Sequence, residues 1–180
     1  METKEKDNGT PYPDIPAVME SKRDEYVDPG IVSTVAVAGH PLHPVLVTVP
    51  IGLLVTAAAT DVGYFFTQDN FWARASIWLL GSGFVMAIVA AITGMSDFLR
   101  IKRVRKSTAG WAHMYINIAI LGLTLVNYLL RLGNPAAGVL PVGIILSILV
   151  ATLLGISGWY GGELVYRHKV AVIGPTSRKQ

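Results

Sequence analysis

The chain reads as an all-α integral membrane protein, a four-helix transmembrane bundle behind a disordered acidic amino-terminal tail. Three observations predict this. Of 180 residues, 52% are hydrophobic and only 15% charged, against about 25% charged in an ordinary soluble domain. The charge lies almost wholly outside four apolar stretches, and mean hydropathy is +0.47. Each stretch has about 20 residues or more, enough at about 1.5 Å per residue to cross roughly 30 Å of hydrocarbon. A bilayer offers no water to unpaired backbone groups, so such stretches must be helical.

The same composition excludes a disordered chain, a coiled coil, a collagen and a soluble nucleic-acid binder. There is no cysteine, which excludes disulfides, thiolate catalysis, Cys-type zinc sites and iron–sulfur ligation by this chain. The pI is near 9.2. The basic residues flank apolar spans, where they set membrane orientation rather than bind nucleic acid.

Residues 1–30 are polar, with four basic and eight acidic side chains. No apolar run follows Met1, so this segment reads as a disordered tail and not a signal peptide. A four-span domain covers 38–172, with helices expected at about 44–66, 75–98, 111–130 and 137–160, followed by a basic tail at 173–180. The linkers are short, so successive helices are antiparallel neighbours. Small residues form stripes at helical spacing: Gly83, Ala87, Ala90 and Gly94; Gly52, Thr56, Ala59 and Gly63; Gly143, Ser147 and Ala151. Such stripes let helices approach closely in lipid.

Antiparallel crossing puts both termini and the middle loop on one side. That side carries 13 of the 15 Lys and Arg residues, five of them in the loop as Arg100, Lys102, Arg103, Arg105 and Lys106. The positive-inside rule makes it cytoplasmic in a cell inner membrane. Only Arg74 and Arg131 fall on the other side. Trp72, Trp78, Trp111, Trp159 and Tyr160 lie near span ends, as an interfacial belt would.

All four histidines, His40, His43, His113 and His168, fall on the basic side, as do Asp97 and Glu163. In His40-Pro41-Leu42-His43-Pro44, the prolines restrict the directions of both imidazoles, and Pro44 suits the first helical position with His43 near the cap. Imidazole is the commonest ligand of protein-bound transition metals and haem. On the third span, His113, Asn117, Thr124 and Asn127 share one face, which should point inward. Asn117 is placed to orient His113, whereas Thr124 and Asn127 suit interhelical hydrogen bonds. Asp97 continues the small-residue face of the second span, where a carboxylate needs a cation, a metal or a histidine. Asp61, near the other face, reads as an interfacial or packing residue. Gly161-Gly162 reads as a helix stop, with the following segment returning toward the bundle mouth and carrying His168.

Phosphate-cradling, dinucleotide-binding and serine-nucleophile motifs are absent, and His40/His43 lacks the glutamate and spacing of a zinc protease. No catalytic residue is expected.

At Gly39-His40-Pro41-Leu42-His43-Pro44, the Gly94/Asp97 helix end, His113-x-x-x-Asn117 and the segment from Gly161 to His168, the chain resembles the bacterial membrane family catalogued as domain of unknown function 2231. The resemblance covers about Ala38 to Val172 and implies a four-span inner-membrane protein. Some relatives appear joined to Rieske-type iron–sulfur or cytochrome domains, which implies a redox context but transfers no activity.

The leading expectation is a haem or metal site at the cytoplasmic end of the bundle, serving membrane electron transfer with a redox partner. His43 and His113 would be primary ligands of haem b, or of zinc, iron or copper. His40, His168 and Asp97 would be further ligands, with Asn117 and Glu163 behind them. Two alternatives stand beside it: a cofactor-free scaffold or assembly subunit of a membrane complex, with homo-oligomers open, and a small ion or proton pathway from His113 past Thr124 and Asn127 toward Asp61.

Overall fold

The computed structural model describes residues 30–172, so the expected tails at 1–29 and 173–180 lie outside the described residues. Four long helical spans run over Leu42–Thr67, Asn70–Arg100, Thr108–Leu129 and Pro135–Tyr166. The first comprises α1 (Leu42–Leu46) and α2 (Thr48–Thr67). Pro50 explains the break between them, because its ring has no N–H and crowds the carbonyl four residues back, that of Leu46. The second is α3 (Asn70–Arg100), and the short basic α4 (Lys102–Lys106) leads into α5 (Thr108–Leu129). The fourth begins with α6 (Pro135–Gly138), passes a wide turn at Val139–Gly143 and continues as α7 (Ile144–Tyr166).

The helices exceed the expected bounds at several ends. At 31 residues, α3 is about 46 Å long at the α-helical rise, longer than the roughly 30 Å of a hydrocarbon core. Side-chain caps set three of the starts. Asp69 accepts from the Phe71 amide at 2.8 Å, Ser107 from Gly110 at 3.0 Å and Asn134 from Ala137 at 3.2 Å, each satisfying a donor that the first turn leaves free. The helix stop expected at Gly161-Gly162 is not there: α7 continues to Tyr166. The first span starts at Leu42, two residues earlier than expected, so His43 sits inside the first turn rather than at the cap.

In the bundle, α2 and α5 each pack between α3 and α7, which places them diagonally. Large apolar residues cover the outside: Trp78 is 77% exposed, Ile92 66% and Ile145 61%, whereas Asp61, Ser76, Thr124, Asn127 and Arg131 are all 0% exposed. An apolar exterior around a polar interior is the pattern a lipid solvent demands. The small stripe on α3 does face inward, with Gly83 against Leu54. The stripe expected on the first span mostly does not: Gly52, Thr56 and Ala59 are exposed, and Leu54, Ala57, Ala58 and Asp61 are buried instead.

Leu54, Ala57, Leu80, Ile120, Val150 and Leu154 form the central apolar cluster. A second cluster of Phe98, Ile101, Val104, Ala109, Leu164 and Val170 closes the basic rim. There the chain before the first span forms a hairpin, β1 (Ala36–Val37) with β2 (His40–Pro41). Its two turn residues, Ala38 and Gly39, have φ of 49° and 80°, as a two-residue hairpin turn requires. Ile31 pairs with Val170 beside it, so both ends of the described chain meet at one rim.

Candidate functional site

Two polar levels lie above and below the central apolar cluster. At the basic rim, His43 from α1 and His113 from α5 come together with ring centroids 6.3 Å apart and planes at 89°. The Nδ1 of His43 lies 2.9 Å from the Ala90 carbonyl of α3, and the Nδ1 of His113 lies 2.9 Å from the Ser157 carbonyl of α7. A carbonyl only accepts, so each Nδ1 carries the proton and donates it. In a neutral imidazole the lone pair then resides on Nε2. Neither Nε2 has a hydrogen-bond partner among the described residues.

Two glycines make this placement possible. A Cβ on Gly94 would stand 2.6 Å from His43 Cε1, and one on Gly161 would stand 3.1 Å from His113 Cε1. The first distance is below any real contact and the second is tight, so each ring occupies space that a side chain would have filled. Gly94, read above as packing, is thus also the seat of His43. Gly161, read as a helix stop, seats His113.

Asn117 acts through a residue the sequence reading missed. Its amide donates at 2.7 Å to the His113 carbonyl, one turn back, and at 2.7 Å to Ser157 Oγ. That hydroxyl lies 3.1 Å from His113 Nδ1. Ser157 is one helical turn before Gly161, so both face His113 from α7, and that spacing was the available signal.

The other expected ligands do not gather at this pair. The hairpin holds His40, exposed, with its Nδ1 3.0 Å from the Ala38 carbonyl. Asp97 is committed elsewhere. Its Oδ2 accepts from Ser33 Oγ at 2.7 Å, and its Oδ1 accepts from the Thr34 amide at 2.6 Å and Thr34 Oγ1 at 2.7 Å. It therefore pins the strap before the first span onto the end of α3. The return of the chain after α7 does bury His168, at 7% exposure. There its carbonyl accepts from Arg103. The Glu163 carboxylate makes no hydrogen bond or ion pair with any described residue. Among the described residues no three His, Asp or Glu side chains group as metal ligands would.

The second polar level, near the opposite rim, was not foreseen. Arg131 lies inside the bundle and not in a loop. Its Nη1 and Nη2 donate to Asp61 Oδ1 and Oδ2, both at 2.6 Å, and Nε donates to Asn127 Oδ1 at 3.1 Å. Ser76 and Ser147 hydroxyls each add a 2.6 Å bond to the carboxylate, and Asn127 donates to Ser147 Oγ at 2.8 Å. All four long helices thus contribute to one neutral, fully buried network. Gly138 and Gly143, flanking the wide turn, close on the guanidinium arm: a Cβ on Gly138 would stand 2.8 Å from Arg131 Cγ, and one on Gly143 would stand 2.9 Å from its Nη2. Asn127 bonds between helices as expected, whereas the buried Thr124 hydroxyl has no hydrogen-bond partner among the described residues.

An apolar-surfaced bundle of four spans with its polar side chains turned inward is an integral membrane protein. The chain belongs to the family of unknown function numbered 2231, described as a predicted membrane protein, whose model matches residues 39–174. No curated protein and no solved structure matches the chain.

Proposed function

We propose that this protein holds a redox cofactor, haem b or a single transition-metal ion, between His43 and His113 and passes electrons to a membrane partner. The observation that carries the reading is the pair of Nδ1–H donations to backbone carbonyls, which leaves both Nε2 atoms, on neighbouring rings, without a hydrogen-bond partner among the described residues. Ligating histidines nearly always donate their other N–H in this way, which fixes the tautomer and the ring direction. The two rings stand 6.3 Å apart and edge-on to one another. A zinc centre does not fit, since zinc takes three or four protein ligands and two side chains converge here. When bound, iron or copper would supply one-electron chemistry. Within this reading, Ala90, Ser157 and Asn117 hold the rings, Gly94 and Gly161 give them room, and the apolar cluster below excludes water.

Orientation in a bacterial inner membrane, with both termini cytoplasmic, belongs to the same proposal and rests on the bias of 13 of 15 cations. A proton pathway is less well supported, because Leu54, Leu80, Ile120, Val150 and Leu154 stand between the two polar levels. The scaffold reading has one observation in its favour: the imidazole bonds also tie α1 to α3 and α5 to α7.

The test is metal analysis and the optical spectrum of detergent-purified protein from cells grown with iron, copper and zinc. Stoichiometric haem or metal, lost in both His43→Ala and His113→Ala, is expected. Colourless, metal-free wild-type protein would overturn the proposal in favour of the scaffold.

A further inference from the structure

A groove of about 510 Å³ runs along the outside of the bundle where α3 meets α5, walled by Ile88, Ile92, Met95 and Leu99 on one side and Ile118 and Leu121 on the other. We propose that it seats one acyl chain of an anionic phospholipid from the surrounding bilayer, with the lipid phosphate on Arg100.

The groove and its mouth carry complementary chemistry along a single axis. From Ile88 to Leu99 the α3 wall rises about 16 Å, and its outer residues are well exposed, Ile92 at 66% and Leu99 at 57%. The next residue, at the mouth and the last of α3, is Arg100, exposed and without a hydrogen bond or ion pair to any described residue. The exposed cations Lys102, Arg105 and Lys106 follow on α4. On the α5 side, Tyr115 is 60% exposed and stacks on Trp111 at 5.6 Å, directly above Ile118 on the same helix face. Amphipathic aromatic rings settle at headgroup depth. The groove therefore offers hydrocarbon below, an aromatic collar at the interface and positive charge above, in the order that an anionic glycerophospholipid presents its parts. A second copy of the chain fits less well: a parallel copy on this face would bring its own Arg100 and basic α4 against the first.

The test is native mass spectrometry of delipidated wild-type protein titrated with phosphatidylglycerol or phosphatidylcholine of the same acyl chains. One phosphatidylglycerol per chain is expected, retained about fivefold more tightly than phosphatidylcholine, the value of one cation at a membrane surface. Arg100→Gln should abolish the preference and Arg100→Lys should keep it. Ile92→Trp, which fills the groove, should lower retention of both lipids. Equal retention of the two lipids by wild type, an unchanged preference in Arg100→Gln, unchanged retention in Ile92→Trp, or a dimer covering the face would each overturn the proposal.

Discussion

The two polar levels of this bundle are built on opposite rules. Near one rim, Arg131 and Asp61 are both 0% exposed, and every charged atom is answered by another side chain. At the basic rim, His43 and His113 are half-buried, and each ring has one nitrogen engaged and one open. A closed network can hold helices in register but has nothing left for a ligand. An open pair does less for stability and keeps donor capacity in reserve. In a membrane, where an unmatched polar group is costly, leaving two imidazole nitrogens unmatched is the informative choice.

The sharpest way to break this comparison is at the closed level. Asp61→Ala leaves Arg131 buried without a counter-ion and should cost about 3–5 kcal/mol, enough to prevent folding. Replacing both partners, Asp61→Leu with Arg131→Met, should recover much of that loss, since apolar pairs often replace buried ion pairs without penalty. Thermal unfolding in detergent reads both. If Asp61→Ala alone is tolerated, the network is not the structural lock described.

Next in size is the seat of the open pair. Gly94→Ala puts a methyl into the His43 ring and should cost about 1–3 kcal/mol as overpacking. Gly161→Ala has 0.5 Å more room to its ring, 3.1 Å against 2.6 Å, and should cost less. The order of the two melting temperatures checks the geometry. Asp97→Asn weakens the charge-assisted bonds to Ser33 and Thr34, worth about 1–2 kcal/mol. It should speed proteolysis within 31–41 while leaving the four spans resistant. Smallest is the stability loss in His43→Ala or His113→Ala, about 1 kcal/mol for one hydrogen bond.

Much of the frame was legible in the sequence. The spans were, because a bilayer permits only long apolar helices. Their ends were less so: Asn70, Arg74 and Arg100 are polar yet helical, and hydropathy ends where the hydrocarbon does. Gly161-Gly162 looked like a stop because glycine favours helix ends, but packing against His113 keeps the helix going. That His43 and His113 would meet at one rim followed from the even number of crossings and the inward polar stripe of α5. The gathering of His40, Asp97 and His168 did not follow, since a common rim is not a common point and each found a nearer task. Arg131 was missed for a related reason. A charge at a span end is read as loop, and only the three-dimensional meeting of Asp61, Ser76, Asn127 and Ser147 reveals that it turns inward.

The open end can be tested at its atoms. Nitrogen-15 NMR of histidine-labelled protein in detergent reports which ring nitrogen carries the proton. His43 and His113 should both hold Nδ1–H with an unprotonated Nε2, and both Nε2 signals should move together when haem or copper is added. Protonated Nε2 on either ring, or Nε2 signals that ignore both additions, would contradict this.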